Sequence, residues 1–124
     1  MNRIVYIENE MPLSLHCKGL NYDETKHLSM QDLTMFIERD LHCYLKKLKE
    51  LNPTFSISLI KQGNLFEVRI QVAIAFINAA EPVRRRIESL LWLYNTQSFI
   101  QKNGHLVALP SRFRFEIDVT QHMN

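Results

Sequence analysis

Every second residue between positions 65 and 76 is apolar, and this alternation is the strongest pattern in the chain. A period of two places successive side chains on opposite faces of a strand, so it predicts a long strand with one buried face. The turn Lys61-Gln62-Gly63-Asn64 predicts a hairpin with the strand before it. Shorter alternating stretches predict strands over residues 13–17, 54–61 and 112–119, and the β-rich composition of residues 3–7 predicts a strand that could form a hairpin with 13–17 around Asn9 to Pro12. The residues of the long strand expected to face the core are Phe66, Val68, Ile70, Val72, Ile74 and Phe76.

A second spacing, of three and four residues, predicts two amphipathic helices. The first begins after Ser29, whose hydroxyl suits an N-cap, and it ends at Asn52-Pro53. The second begins near Pro82, which fits the first turn of a helix, and it frays between Asn95 and Gly104. The first apolar stripe contains Leu33, Ile37, Leu41, Tyr44 or Leu45, Leu48 and Leu51, and the second contains Val83, Ile87, Leu90, Leu91 and Tyr94.

The order of these elements predicts the fold class. It reads strand or strands, helix, strand, strand, helix, strand, with a polar loop over residues 18–28. We therefore expect an α+β fold in which two helices pack on one face of an antiparallel sheet, in the ferredoxin-like split βαβ order (β)βαββαβ. A length of 124 residues suits a single domain that spans positions 1–124.

The charge balance is weak, because 15 basic and 13 acidic residues give a net charge of +2. This balance does not by itself imply a nucleic-acid partner, although residues 82–124 carry six basic and three acidic side chains. The start lacks the apolar run of a signal peptide, and no apolar run of about 18 residues predicts a membrane span. Two cysteines are too few for a disulfide framework. Together these features predict a cytoplasmic protein with free thiols and no membrane partner.

Catalytic signatures are absent from the sequence: there is no Gly-rich phosphate loop, no G-x-S-x-G elbow and no H-E-x-x-H helix. The dipeptide His-Cys occurs twice, at His16-Cys17 and His42-Cys43, and four such ligands would suit zinc. Neighbouring side chains diverge on a strand or a helix, so a closed site has access to only one residue of each pair. We therefore expect no catalytic residue, metal or cofactor, since a small enzyme would need a deep polar pocket that no spacing here indicates.

Three successive arginines, Arg84-Arg85-Arg86, stand near the start of the second helix, where cations oppose the helix dipole. One explanation is a functional contact with an anion. The alternative is a solvated face in which Arg84 pairs with Glu88, and Arg85 with Glu81, at a spacing of four residues. Other basic residues stand at the end of the first helix and on the outer face of the last strand. The candidate nucleic-acid-binding set is Lys46, Lys47, Lys49, Arg84, Arg85, Arg86, Arg112 and Arg114.

Some apolar residues lie outside the faces expected to form the core, and they suggest a partner interface. Trp92 and Leu93 widen the apolar face of the second helix, which indicates burial on a second side or against a partner. On the expected outer face of the long strand, Ala73 and Ala75 occupy positions where polar residues are usual. These four residues form the candidate interface.

Residues 13–97 resemble the ribosome hibernation-promoting (sigma-54 modulation) family in the pattern of their elements. The likeness is carried by the strand Leu13 to Gly19, the helix ending Tyr44-Leu45-Lys46-Lys47-Leu48-Lys49, the segment Phe55-Ser56-Ile57-Ser58-Leu59 with the strand Phe66 to Val72, and the helix Val83 to Tyr94. Members of that family bind the small ribosomal subunit through basic helix and sheet surfaces and block its RNA channels. The resemblance therefore implies a ribosomal partner.

Two functional hypotheses follow from these observations. The first is a non-catalytic binding module that contacts structured RNA or a ribonucleoprotein such as the ribosome, through phosphate neutralisation by its basic residues. The second is a protein-interaction or assembly domain. It would form a homodimer or dock a partner protein through the second helix and the sheet edge.

Overall fold

The computed structural model describes residues 2–7 and 14–122. The strands are β1 (Asn2–Ile7), β2 (Ser14–Gly19), β3 (Ser56–Gln62), β4 (Leu65–Ala73), β5 (Thr96–Lys102), β6 (His105–Ala108) and β7 (Arg114–His122). The helices are α1 (Tyr22–Thr25), α2 (Met30–Leu51) and α3 (Ala80–Trp92), and a 3₁₀ segment spans Ile74–Ala79. The strands expected over 3–7 and 13–17 are confirmed as β1 and β2, which pair antiparallel. The turn expected around Asn9 to Pro12 lies outside the described residues.

The long helix α2 has the limits that its sequence predicts. The Ser29 hydroxyl accepts a hydrogen bond from the Asp32 N–H at 3.1 Å and so caps the first turn. At the other end the Asn52 N–H donates to the Leu48 carbonyl, and Pro53 follows. The buried residues on this helix are Leu33, Ile37 and Leu41, which have the spacing of one helical face.

The core lies between the two long helices and one face of a three-stranded sheet, ordered β3-β4-β7. The expected mixed class of helices and strands is therefore confirmed, whereas the ferredoxin-like arrangement of two helices on a single antiparallel sheet is not. The inward residues of β4 are Phe66, Val68, Ile70 and Val72, and they meet buried residues of α2 and α3. Phe66 also packs edge-on against Phe113, with ring centroids 5.0 Å apart. Within the described ranges, none of the helices combines the length and hydropathy that crossing a bilayer requires.

The strand β4 is shorter than its alternation predicts. It ends at Ala73, and the chain then forms a 3₁₀ segment in which Phe76 has non-helical dihedral angles. Ile74 and Phe76 are therefore exposed, and their predicted place in the core is wrong. The chain has to leave the sheet here, because α3 begins at Ala80 and lies across the sheet face.

The expected single antiparallel sheet is replaced by two sheets. β1, β2, β5 and β6 form a separate four-stranded antiparallel sheet, so the strand that precedes the long helix does not join the core sheet of the ferredoxin-like prediction. In the core sheet β7 runs parallel to β4, with Leu65 opposite Arg114, because α3 and the β5–β6 hairpin carry the chain back to the start of the sheet.

The hairpin β5–β6 was not among the predicted elements. Its two-residue turn is Asn103-Gly104, and both residues have positive φ, at 53° and 79°. This is the conformation of a type I′ turn, which Asn-Gly favours because neither residue resists the left-handed region strongly. The short helix α1 also occupies part of the segment that was expected to be a polar loop.

The four-stranded sheet contacts the helical layer where β2 ends beside the C-terminal end of α3. The Gly19 N–H donates to the Asn95 carbonyl at 2.9 Å, and the Asn21 N–H donates to the Leu93 carbonyl at 2.8 Å. A side chain at Gly19 has no room, because a Cβ atom there would lie 1.9 Å from the Trp92 carbonyl oxygen. Backbone contact at this point attaches the four-stranded sheet to the rest of the fold.

Candidate interaction surfaces

Two of the three successive arginines are held by glutamates on the same helix. The Arg84 Nη2 lies 3.1 Å from a Glu81 carboxylate oxygen, and its Nη1 lies 3.3 Å from Glu88. The Arg85 Nε lies 3.2 Å from Glu81. The hydrogen bond from Arg84 lowers the pKa of Glu81 from its ordinary value. The expected pairs at a spacing of four residues are therefore confirmed, and they offset much of the positive charge at this end of α3.

The third arginine, Arg86, faces a groove between α2 and α3. Lys47 lines the same groove, and among the described residues neither side chain has a carboxylate within salt-bridge distance. The floor of the groove is apolar, with a volume of about 550 Å³, and its most exposed member is Leu51, at 87%. The full lining consists of Asp40, Cys43, Tyr44, Lys47, Leu48, Leu51, Arg86 and Leu90.

Two tyrosines have raised pKa values: Tyr44, which lines the groove, and Tyr94, which contacts the lining residue Asp40. Burial raises the pKa of Tyr44, and the positive charge of Arg86 partly opposes this shift. Tyr94 donates a hydrogen bond to the Asp40 carboxylate. Burial and that hydrogen bond raise the pKa of Tyr94 from 10.0 to about 12. Asp40, the one acidic group in the groove lining, also lies 3.6 Å from the Arg39 Nε, so its charge is partly balanced by a residue that does not line the groove.

The other basic residues of the candidate set are dispersed. Lys46 and Lys49 are exposed on the last turns of α2 but do not line the groove. Arg114 lies at the start of β7, beside a shallow cleft that contains Asn64 and Gln97. Of the eight predicted residues, Lys47 and Arg86 come from different helices and line the same groove, while Arg114 lines a different cleft.

Arg112 is turned inward, so its expected outward orientation is wrong. Its Nη1 donates to the Thr25 hydroxyl at 2.9 Å and to the Tyr94 carbonyl at 3.1 Å, and its Nη2 donates to the Thr25 carbonyl. The guanidinium also lies over the Tyr22 ring, 5.3 Å from the centroid. Burial lowers the pKa of this guanidinium from its ordinary value. The side chain links α1 to the segment before β7. Because both Nη atoms donate hydrogen bonds within the fold, few of its N–H groups are left for another partner.

The candidate partner residues on α3 and β4 separate in the structure. Trp92 is half-buried and packs edge-on against Phe115, with centroids 6.1 Å apart, while Leu93 packs against the core. Ala73 is buried, so its predicted place on a partner surface conflicts with its position. Ala75 is exposed on the 3₁₀ segment instead of on a strand face. These four residues do not form one exposed surface.

The four-stranded sheet carries an apolar surface that the sequence reasoning missed. None of the described side chains of β2, β5 and β6 belongs to the hydrophobic core or packs against it as a partly buried apolar residue. All four residues of β6 are exposed, with Leu106 at 58% and Val107 at 41%. Phe99 and Ile100 on β5 are only half-buried. The signal that would have found this hairpin is Asn103-Gly104 between two apolar stretches.

The two His-Cys pairs lie apart. The His16 Nδ1 hydrogen-bonds the Ser98 hydroxyl at 2.9 Å on the four-stranded sheet, while His42 is exposed on α2. Cys17 and Cys43 are both free thiols. In the part of the chain that the structure describes, no three His, Cys, Asp or Glu side chains come close enough to share a metal ion.

Comparison of the chain with protein-family models, with curated proteins and with solved structures gives no match.

Proposed function

We propose that this chain is a protein-interaction domain that assembles with a partner through its four-stranded sheet. The observation that carries the proposal is that the described side chains of β2, β5 and β6 lie outside the hydrophobic core. An antiparallel sheet normally buries one face, and burial is its main source of stability. Here Leu106 and Val107 are exposed, and Phe99 and Ile100 are half-covered, although all four are apolar. A partner protein that covered them would supply the burial that the chain's own core does not provide.

Site-specific photo-cross-linking tests this proposal directly. A photoreactive phenylalanine analogue is placed at Leu106 or Val107 and, as the control, at Ser58, which is exposed on the outer face of the three-stranded sheet. We expect irradiation in cells to give protein adducts from the two β6 positions and few from Ser58. Equal adduct yields at all three positions, or none above background, would contradict an interaction surface on this sheet.

A second candidate function is contact with a phosphate-bearing partner such as structured RNA, at the groove between α2 and α3. It is favoured by the convergence of Lys47 and Arg86, the two predicted basic residues that share a cleft and have no acidic partner among the described residues. Each phosphate that they neutralise would release a counterion, so affinity would fall with salt. The ribosomal partner that the family resemblance implies belongs to this candidate.

Fluorescence anisotropy with a labelled RNA hairpin, measured over a salt series, tests the second candidate. We expect the double variant Lys47→Glu/Arg86→Glu to bind more weakly at low salt and to lower the slope of log affinity against log salt by about two. The matched control is Lys61→Glu/Lys102→Glu, which makes the same charge change at exposed positions away from the groove. Equal losses in both variants, or no binding at low salt, would refute the groove as the RNA site.

A further inference from the structure

The free edge of β6 presents a defined set of backbone groups. The Leu109 N–H donates to the Ser98 carbonyl oxygen at 2.7 Å, in register with the β5–β6 pairing. Residues of an antiparallel ladder alternate in the direction of their backbone groups, so Val107 also directs its N–H and C=O at β5. The N–H and C=O groups of Leu106 and Ala108 therefore point away from β5. At that edge the described strands provide no partner.

This edge lacks most of the features that normally prevent strands from pairing between molecules. Natural edges are protected by very short strands, lysines, prolines, bulges or inward-pointing charges. β6 has only four residues and Pro110 follows two positions later, but no lysine, proline or acidic residue lies within the strand. The four residues of β6 are His-Leu-Val-Ala, and the only Lys, Arg, Asp or Glu in the β5–β6 hairpin is Lys102, next to the turn. The edge is therefore open to another strand with little electrostatic penalty.

We propose that the partner is a second copy of this chain, paired antiparallel through β6 about a twofold axis beside Val107. The inference rests on the proposed assembly function and names its partner. The axis places Leu106 opposite the partner's Ala108 and Val107 opposite the partner's Val107. Each Leu106 and each Ala108 then exchanges its outward N–H and C=O with the other copy, which gives four hydrogen bonds across the interface. An axis at Leu106 would instead need the backbone of Gly104, which belongs to the turn and has φ of 79°.

The side chains in this register are self-complementary. Ile100 lies opposite Val107 within the hairpin, so the two copies place Ile100, Val107 and their symmetry mates in one apolar row. Phe99 lies opposite Ala108, and Ala108 lies opposite the partner's Leu106 in this register. These three side chains therefore form a second apolar row across the interface. His105 meets the partner's Leu109, and no like charges stand opposite each other. In a twofold-symmetric interface the same surface patch of each copy contacts its equivalent, so the patch has to be self-complementary. The edge of β6 meets this requirement.

Disulfide cross-linking tests the register. In a background of Cys17→Ala and Cys43→Ser, Val107→Cys would place two thiols in a non-hydrogen-bonded pair, whose Cα atoms lie about 4.5 Å apart, within reach of a disulfide. We expect rapid formation of a covalent dimer. Leu106→Cys is the control, because it faces the partner's Ala108. A control that cross-links as fast as Val107→Cys, or faster, would overturn the proposed axis.

Sedimentation equilibrium tests the second copy itself. We expect the unmodified chain to show dimer mass and Leu106→Pro to lose it, because the proline removes an outward N–H and spares those directed at β5. If Leu106→Pro fails to fold, the disulfide experiment decides alone. A chain that stays monomeric at high concentration, without a Val107→Cys cross-link, refutes the second copy. Adducts of the photo-cross-linker with a different protein would then leave the proposed function standing.

Discussion

Gly19, at the end of β2, packs against the backbone at the C-terminal end of α3, and its lack of a side chain is a steric requirement. A Cβ atom would lie 1.9 Å from the Trp92 carbonyl oxygen and 2.4 Å from the Leu93 carbonyl carbon. We expect Gly19→Ala to lower the free energy of unfolding by about 3 kcal/mol, because backbone atoms on both sides have to move. Urea denaturation measures this loss.

Gly63→Ala is the comparison for that substitution. Gly63 has φ of 60° and no atom within 4 Å of its added Cβ, so only left-handed backbone strain applies. That strain costs about 1 kcal/mol. Equal losses of stability in the two variants would contradict the steric role of Gly19.

Arg112 acts through the planar fork of its guanidinium, which satisfies the carbonyls of Thr25 and Tyr94 together. Lysine keeps the charge but cannot reproduce the fork. We expect Arg112→Lys to lower the free energy of unfolding by about 2 kcal/mol, since polar groups that are partly buried lose their partner. Arg114→Lys, at an exposed position nearby, should change it by less than about 0.5 kcal/mol. Similar effects of both substitutions in urea unfolding would show that Arg112 is not a fastening residue.

Tyr94 links stability to alkaline pH. Its pKa rises from 10.0 to about 12 on folding, because burial and the Asp40 carboxylate both disfavour the phenolate. The neutral phenol therefore stabilises the fold fully below pH 10, and this contribution is lost as pH rises through about 12. We expect Tyr94→Phe to be less stable than the unmodified protein near neutral pH, with the difference shrinking over this range. Urea midpoints measured across that range check it, and parallel pH profiles would be the contrary result.

At the scale of elements, periodicity specifies which face of a strand or helix is buried, and this is why α2, β3 and the inward residues of β4 could be predicted. The same signal fails where the chain changes direction. Ile74 and Phe76 continue the alternation of β4 in the sequence. They nevertheless lie on a 3₁₀ segment, because the chain leaves the sheet there to connect with α3. The β5–β6 hairpin was not predicted for another reason: its apolar residues do not pack on the core, so they show no alternation that marks a buried face. Asn103-Gly104 was the only local sign of it.

The two sheets should also differ in how readily they open. The three-stranded sheet contributes four residues of β4 to the hydrophobic core, whereas the described side chains of β2, β5 and β6 are outside that core. We expect the amides of β5 and β6 to exchange with deuterium faster than those of β4 in dilute solution. Raising the protein concentration should protect β6 if it pairs between molecules. Equal protection of both sheets in the dilute protein would contradict this order of stability.

At the scale of the whole molecule, the sequence predicts which faces of the strands and helices are buried better than it predicts which strands pair with each other. Alternation indicates that β7 has one buried face, but it does not indicate that β7 lies parallel beside β4. The division of the strands into two sheets is likewise not indicated by alternation, and the contacts of Gly19 and Arg112 that join distant segments have no local pattern. The same limit applies to the candidate site. Lys47 and Arg86 come from different helices, and their convergence follows from how those helices pack.

The parallel pairing of β7 with β4 also has a consequence for how the chain reaches this structure. The strands are separated in sequence by α3 and the complete β5–β6 hairpin, so β7 can join only after a long loop has closed. The helix α2 and the β3–β4 hairpin need no such closure and can form early. Docking of β7 is therefore expected to limit the rate of refolding, and until it occurs one edge of β4 remains open to pairing with other chains.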